Sequence, residues 1–351
     1  MNDLVLVTGG AGYIGSHCAL ALRAAGYLVV VLDNLDGGHE QAIRGNGVEF
    51  VHGDLKNFQD VLGVFRRYNV AAVVHLAAKT EVEQSMTVPW KYYYNNVYGT
   101  LNLLSAMLSN GVDKIIFSST AAVYGEPKYT PIDEEHPCCP INPYGRTKLI
   151  AENIFDDYYR AYGLKSVRLR YFNVVGADEL GRIGEWHEPE THLVPNILKS
   201  LFPAQPDIHG PRLGDFDEDG NEIKRIFTVY GNDYNTKDGT CVRDYVNVLD
   251  IASGHVLALR YLLGGGNTDY FNLGTEEGNS VREVLSICEK ITGMEIPIKI
   301  SPRRAGDPAI LVANNSKAKA VLGWSPEKTL EDSIKSAYEW EKILHRGLSG
   351  A

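Results

Sequence analysis

Positive charge is in short supply in this chain. Thirty-four lysines and arginines face 44 aspartates and glutamates, a formal net charge of -10 over 351 residues. With that balance there is no global attraction for nucleic acid or an anionic membrane surface, so any phosphate must be met by a local site. Cysteine is scarce too. The five residues Cys18, Cys138, Cys139, Cys241 and Cys288 form an odd, scattered set with no CxxC spacing. That argues against a disulfide framework or a structural zinc site and points to a reducing cytoplasm. Long hydrophobic runs are missing. No stretch approaches the ~20 apolar residues of a spanning helix, and no basic segment precedes a secretory apolar region at the N-terminus. The expectation is a cytoplasmic protein with neither a membrane nor a nucleic acid as partner. Internal repeats, low-complexity tracts and coiled-coil heptads are absent as well.

What is present is enough apolar residue, 44%, to bury a sizeable core and to divide into two domains. Through the first half, short β-branched runs alternate with helix-length segments, the pattern of a parallel sheet covered on both faces. Strands are expected at 4–8, 28–33, 48–53, 72–76, 114–118 and 166–171. The segment 142–162 carries Leu149, Ile150, Ile154 and Phe155 near a 3.6-residue period after an Asn-Pro start, which predicts a helix. After Gly176 the regularity fades, and glycine, proline and charged residues are frequent through Asp238. This reads as a smaller, loop-rich lobe of the kind that carries substrate contacts, with helices again at 280–292 and 330–344. The predicted fold is α/β, a doubly wound parallel (Rossmann) sheet with a second, smaller α/β substrate lobe. The expected division is 1–176 for a dinucleotide and 177–351 for substrate, with 241–262 returning to the first domain.

Two constellations carry chemistry. Leu4–Thr8 runs into Gly9-Gly10-Ala11-Gly12-Tyr13-Ile14-Gly15, placing glycines at 9, 12 and 15 between an apolar strand and a helical pattern. Glycine permits the tight turn and close backbone approach, and the following helix offers unpaired amides to a pyrophosphate. A glycine triplet alone is weak, because tight turns collect glycine for structural reasons. The next strand ends in Asp33-Asn34, about twenty residues on, where a carboxylate accepts hydrogen bonds from an adenosine ribose. With no arginine directly after it, that carboxylate repels a 2'-phosphate, so NAD is favoured over NADP. Asp54, after the third strand, is either an adenine contact or a plain loop carboxylate.

The second constellation is Tyr144-Gly145-Arg146-Thr147-Lys148, a phenol and an ammonium four residues apart on one helix face. A tyrosine of pKa roughly 10 is a poor base at neutrality, but a nearby cation favours the phenolate. Lys148 and a positive nicotinamide are expected to give that lowering, letting Tyr144 abstract a hydroxyl proton. A small hydroxyl at the preceding strand end would orient the same oxygen, either Thr120 or, as the alternative, Ser119. Taken singly, such residues are more often turns and caps. Here they follow a cofactor fold in the order that fold needs.

The ordered set VTGGAGYIGSH (7–17), LDNL (32–35), YYNNVYGTLNLL (93–104), FSSTAAVYG (117–125), PYGRTK (143–148), RYFNVVGA (170–177), GNDYNTKDGTCVRDYV (231–246) and PRRAGD (302–307) resembles the extended short-chain dehydrogenase/reductase family. Within it, the likeness is to enzymes that invert carbon 4 of UDP-linked sugars, and it covers nearly the whole chain. The resemblance implies Tyr144 as base, Lys148 as its electrostatic partner and Thr120 as the strand-end hydroxyl, with a 4-keto intermediate and a reused NAD. It also implies Leu55, Asn95 and Phe172 beside the cofactor. UDP would be held by Asn173, His192, Leu193, Tyr230, Arg243, Arg304 and Asp307, where arginine's planar fork suits a diphosphate. Leu311 falls where some members carry a bulkier tyrosine, which implies room for N-acetylated hexoses, or else simple wall packing. A homodimer is implied too, through helices around 92–108 and 142–162.

Competing readings are a UDP-pentose 4-epimerase, with identical chemistry, and a sugar-nucleotide dehydratase, which the Ala121-Ala122 pair after Thr120 disfavours because no carboxylic acid follows. An NAD-sensing regulator without turnover is the reading from another class. Three places depart from the family pattern. Glu83 stands where glycine is usual, Lys79 sits one place before a phosphate-binding lysine of some members, and 203–225 is extra sequence. Asp215–Gly220 superficially resembles a calcium loop, but Ile226 stands at the twelfth position where Glu is required. His187-Glu188 with His192 misses the HExxH spacing and Pro189 interrupts the helix it needs, so a zinc protease is excluded and no metal is expected.

Overall fold

A computed structural model describes residues 3–202, 226–304 and 307–349, with side chains of the last three left aside. The extra segment 203–225, with its Asp-rich loop, lies outside these residues. In chain order the elements of the first half are β1 (Leu4–Thr8), α1 (Tyr13–Ala24), β2 (Leu28–Asp33), β3 (Glu49–His52), α2 (Phe58–Arg67), β4 (Val70–His75), α3 (Val82–Thr87), α4 (Pro89–Tyr92), a π-helical turn (Tyr93–Tyr98), α5 (Gly99–Ser109), β5 (Lys114–Thr120), α6 (Pro143–Tyr162) and β6 (Lys165–Tyr171). The second half adds β7 (Asn173–Val175), α7 (Leu193–Lys199), β8 (Phe227–Tyr230), β9 (Val242–Asn247), α8 (Val248–Leu263), β10 (Asp269–Leu273), β11 (Gly278–Ser280), α9 (Val281–Thr292), β12 (Ile298–Ser301), β13 (Ile310–Leu311), α10 (Ser316–Leu322) and α11 (Leu330–Ser349).

Seven strands form one parallel sheet in the order β10-β6-β5-β4-β1-β2-β3. Apolar runs such as Val5-Leu6-Val7 and Val29–Leu32 are buried along their length because helices cover both faces. One face packs α1 and α8 around Val7, Leu22, Val31, Leu259 and Phe271. The other packs α2, α5 and α6 around Leu6, Val73, Leu104, Ile115 and Phe155. Strand order reverses beside β1, and in such sheets the crevice outside the carboxyl ends of the strands at that point is where ligands bind.

The six expected strands are present, with ends shifted by a few residues. The seventh, β10, went unanticipated because it arrives from the second half of the chain. The expected helix at 142–162 is α6: Pro143 occupies its first turn, and the Asn142 side chain caps it by accepting from Gly145 N at 2.8 Å. Ser280 and Glu283 form a reciprocal capping box at α9. The lobe after Gly176 is more regular than its composition suggested. It holds α7, the β8–β12 pair, and a sheet in which β9 is flanked by β11, β13 and β7. Its core gathers Val194, Ile197, Tyr245, Val284 and Ile334. Although β9 belongs to this small sheet, α8 directly after it packs across α1 under the large one.

Candidate active site

The glycine turn sits between β1 and α1, at the carboxyl edge of the sheet. A Cβ placed on Gly15 would lie 2.0 Å from the Gly9 carbonyl oxygen, so only glycine lets helix and turn pack this closely. Asp33 ends β2 beside that turn, buried, its Oδ2 accepting from Ala11 N at 3.0 Å and its Oδ1 from Leu35 N at 2.8 Å. Burial pushes its carboxyl up, against the backbone donors at Leu35 and Ala11. Burial would raise Asp54 as well, but Lys56 N, the Asn34 amide and the Lys56 ammonium outweigh it and hold that carboxyl low. Tyr13 donates to Gly176 O at 2.6 Å, Ile14 packs into the core, and Leu55 is buried below Asp54. This shape, a glycine cradle with an acidic strand end and unpaired amides at α1, fits the pyrophosphate and ribose of a dinucleotide.

Lys79, from the loop after β4, pairs with Asp36 at 2.8 Å, and Glu83 lies exposed on α3. Beyond that loop, Asn95 and Asn96 fall in the π-helical turn, a distortion frequent at functional sites. The Asn96 amide bonds Lys79 N at 2.8 Å, Lys79 O at 3.0 Å and Thr147 Oγ1 at 3.1 Å, which fixes α6 against the β4 loop. Asn95 Nδ2 donates to Asn96 Oδ1.

The strand-end hydroxyl and the tyrosine do meet. A Cβ on Gly145 would stand 2.4 Å from Ala122 O, so the start of α6 presses directly on the turn after β5. Burial pushes the Tyr144 phenol up to about 12, and a hydrogen bond with Thr120 works against the rise. Thr120 Oγ1 also accepts from Ala122 N at 3.1 Å. Ser119 is spoken for elsewhere. Its hydroxyl donates to Glu152 at 2.5 Å, behind the strand, so of the two alternatives Thr120 faces the tyrosine.

Lys148 lies one turn along α6 from Tyr144. It is buried, and its ammonium donates to Ser118 O at 2.7 Å and lies 4.8 Å from the centre of the Phe117 ring. Burial pushes its own pKa down to about 7, against the pull of Glu152. A lowered phenol pKa is therefore not a property of the two side chains alone. Desolvation in this pocket outweighs a cation turned toward a backbone carbonyl.

Sequence reasoning missed the support behind this pair. Arg170, on β6, is sandwiched by Tyr124 and Tyr270 and bonds Glu152 through Nε at 3.0 Å and Nη2 at 2.5 Å, both partners sealed from water. Glu152 is one turn beyond Lys148, a spacing that could have flagged it.

The residues assigned to the nucleotide spread over five segments. Phe172 and Asn173 follow β6, with Phe172 buried against Ala121 and Val123. His192 and Leu193 stand at the start of α7. Arg243 on β9 is buried and bonded to Asp307, and the Arg304 guanidinium lies 4.1 Å from the centre of the exposed Tyr230 ring. Leu311 on β13 pairs in register with Arg243 and packs on the cluster that holds Ala121, Val123 and Phe172.

A sheet-edge glycine cradle with a Tyr/Thr pair and a buried lysine defines a dinucleotide-dependent enzyme of the short-chain dehydrogenase type. The sequence profile of the NAD dependent epimerase/dehydratase family matches residues 5–274, and the chain belongs to that family. A profile for GDP-mannose 4,6 dehydratase matches 221–337, a minor part of the chain. The chain is 47% identical over 346 residues to a UDP-glucose 4-epimerase of Rhizobium meliloti (strain 1021), covering 99% of each. It is 43% identical to the UDP-glucose 4-epimerase from Brucella ovis solved in complex with NAD, with a TM-score of 0.87 over 96% of this chain and 98% of that one. The UDP-Glc/GlcNAc 4-epimerase of Campylobacter jejuni is 40% identical, with a TM-score of 0.80 over 97% and 100%. No described helix is long and apolar enough to cross a membrane.

Proposed function

We propose that this chain inverts carbon 4 of a UDP-hexose, with Tyr144 as the proton acceptor, Thr120 orienting the reacting hydroxyl and Lys148 fixing the strand end beneath them. The observation that carries this reading is the approach of the Tyr144 phenol to Thr120 at the carboxyl end of β5, with a buried lysine one turn along α6. NAD, when bound, supplies the hydride acceptor for carbon 4 and a positive ring. Tyr144 takes the 4-hydroxyl proton onto its phenol oxygen and later returns it. Thr120 holds the same substrate oxygen, and Lys148 holds Ser118 and so the strand. The 4-keto hexose turns over between the two transfers, so tight anchoring falls on UDP while the hexose stays loosely held. Asn173, His192, Leu193, Tyr230, Arg243, Arg304 and Asp307 supply that anchoring. Arg243 is already neutralised by Asp307, which lets a buried guanidinium wait without an uncompensated charge. The glycine turn, Asp33, Asn34, Asp54, Leu55, Asn95 and Phe172 line the cofactor's place.

A broader sugar range is part of the proposal. Leu311, packed on the cluster that holds Ala121 and Phe172, is smaller than a tyrosine and carries no hydroxyl, which supports turnover of N-acetylated hexoses alongside UDP-glucose and UDP-galactose. We place the lobe boundary near residue 176 and the enzyme in the cytoplasm; the expected return over 241–262 shifts along the chain, because β9 stays in the small sheet while α8 and β10 join the cofactor lobe. A homodimer is supported by Trp90, Tyr94 and Tyr98 and by Tyr159 and Tyr162, aromatic side chains left exposed along α4–α5 and α6. Incubating Tyr144→Phe with UDP-galactose tests the central assignment. Turnover is expected to vanish while the protein still copurifies with NAD, and substantial remaining activity defeats the role given to Tyr144.

A further inference from the structure

The loop leading into α7 holds a cluster of which the proposed UDP site uses only His192. Glu185, His187, Glu190 and His192 each bring one ligand atom within 4.8 Å of the others. Glu185 Oε1 is 3.2 Å from His187 Nδ1 and 2.5 Å from His192 Nδ1, while Glu190 Oε1 is 3.4 Å from His192 Nδ1. The carboxylate side chains are only 6% and 3% exposed. Glu190 Oε1 accepts from Thr191 N and His192 N, but its Oε2 is buried without any hydrogen-bond partner. The nearest cation, the Lys199 ammonium, stays 3.9 Å from that oxygen and donates to His187 O at 3.3 Å instead. Glu341 adds a third buried carboxylate to the neighbourhood. Leaving a buried carboxylate oxygen without a partner is costly, and a chain retains such an atom at little cost only when something else satisfies it.

We propose that Glu185, His187, Glu190 and His192 bind a first-row divalent metal, best matched by zinc, as a structural clamp. Two imidazoles and two carboxylates form a neutral set around a divalent ion and suit zinc better than magnesium or calcium, which prefer all-oxygen shells. Bond lengths of about 2.1 Å in a tetrahedron put ligand atoms about 3.4 Å apart, close to the 3.2 Å Glu185–His187 and 3.4 Å Glu190–His192 separations. The 2.5 Å His192–Glu185 contact opens on binding, and the proton it shares is released to solvent. The sequence hid this set because it is no HExxH: the ligands sit on a loop around Pro189 and converge only through the backbone's path.

The clamp has something to hold. Trp340 Nε1 donates to Glu185 O at 2.8 Å, Trp186 stacks on His39 at 3.7 Å, and the His187 ring lies 6.4 Å from that of Tyr13 in the glycine turn. Metal on His192 Nδ1 also fixes that ring's remaining proton on Nε2, making it a donor.

Tag-free protein stripped with a chelator and dialysed, then titrated calorimetrically with zinc chloride, tests the assignment. One zinc per chain is expected, with His187→Ala and Glu190→Gln each weakening it at least ~10-fold. Cobalt is expected to give tetrahedral visible bands, lost in both variants. Zinc is expected to raise the urea midpoint of the parent protein and of neither variant, a readout independent of turnover. Absence of a stoichiometric site in the parent protein overturns the proposal, and so does binding by Glu190→Gln at parental affinity. Failure of His187→Ala to fold leaves the decision with those two measurements.

Discussion

Glu152→Gln exchanges a carboxylate for an amide of the same shape inside the sealed contact behind Thr120. Glu152 and Arg170 have side chains 2% and 5% exposed, so solvent screens neither. The amide still accepts one bond from Arg170 or Ser119, but the guanidinium loses its counter-charge. Breaking a buried pair by removing one partner costs about 3–5 kcal/mol, and the retained hydrogen bond places this case near about 3 kcal/mol. At ~2 cal/mol/K of unfolding entropy per residue, that lowers the thermal midpoint of a 351-residue chain by about 4 °C. Chemistry suffers separately. Glu152 is the charge that opposes burial at Lys148 and keeps its pKa from falling below about 7. Without it the ammonium is lost at lower pH, so kcat is expected to fall at neutrality and partly recover at pH 6. Scanning calorimetry and a kcat profile between pH 6 and 8 check both halves. A midpoint within 1 °C of the parent together with an unmoved profile refutes the reasoning.

Gly15→Ala forces a methyl against the Gly9 carbonyl oxygen, so cofactor copurification, read from absorbance after denaturation, is expected to drop at least ~10-fold; full retention contradicts the cradle. Leu311→Tyr is expected to lower the rate on UDP-N-acetylglucosamine relative to UDP-glucose, and an unchanged ratio removes Leu311 from the sugar pocket. Three buried histidines set an acid limit. His17 and His255 each donate Nδ1 to a carbonyl one turn back and leave Nε2 buried without a partner, and His75 is locked between Thr8 and Thr100. Burial holds them near 4, 4 and 3, below the usual 6.5. The unfolded chain therefore takes up protons first, and stability falls as pH drops from about 6.5 toward 4, by about 2 kcal/mol per histidine at pH 5. Equal urea midpoints at pH 7 and pH 5 rule this out.

Much of the cofactor half is written locally. Val5–Val7 and Val29–Leu32 read as buried parallel strands because burial on both faces demands unbroken apolar runs, and the structure places them so. The turn at Gly9–Gly15 and the Tyr144/Lys148 spacing are legible because each lies within a single strand-turn-helix or a single helical turn. The small sheet was illegible. Its strands are short, and β9 meets β7, β11 and β13 from segments far apart in the chain. Spacing says that Lys148 shares a face with Tyr144, but not that its ammonium turns to Ser118.

By itself the sequence determined the alternation of strands and helices, the dinucleotide turn and the Tyr144/Lys148 spacing, since those rest on periodicity and near-neighbour spacing. Only the tertiary structure decided which hydroxyl meets Tyr144, what balances Arg170 and Arg243, and that Glu185, His187, Glu190 and His192 converge. Ser119 reaches Glu152 across 33 residues, and Arg243 reaches Asp307 across 64. Contacts over such separations depend on register and packing, and the charge states they set depend on how much water that packing removes.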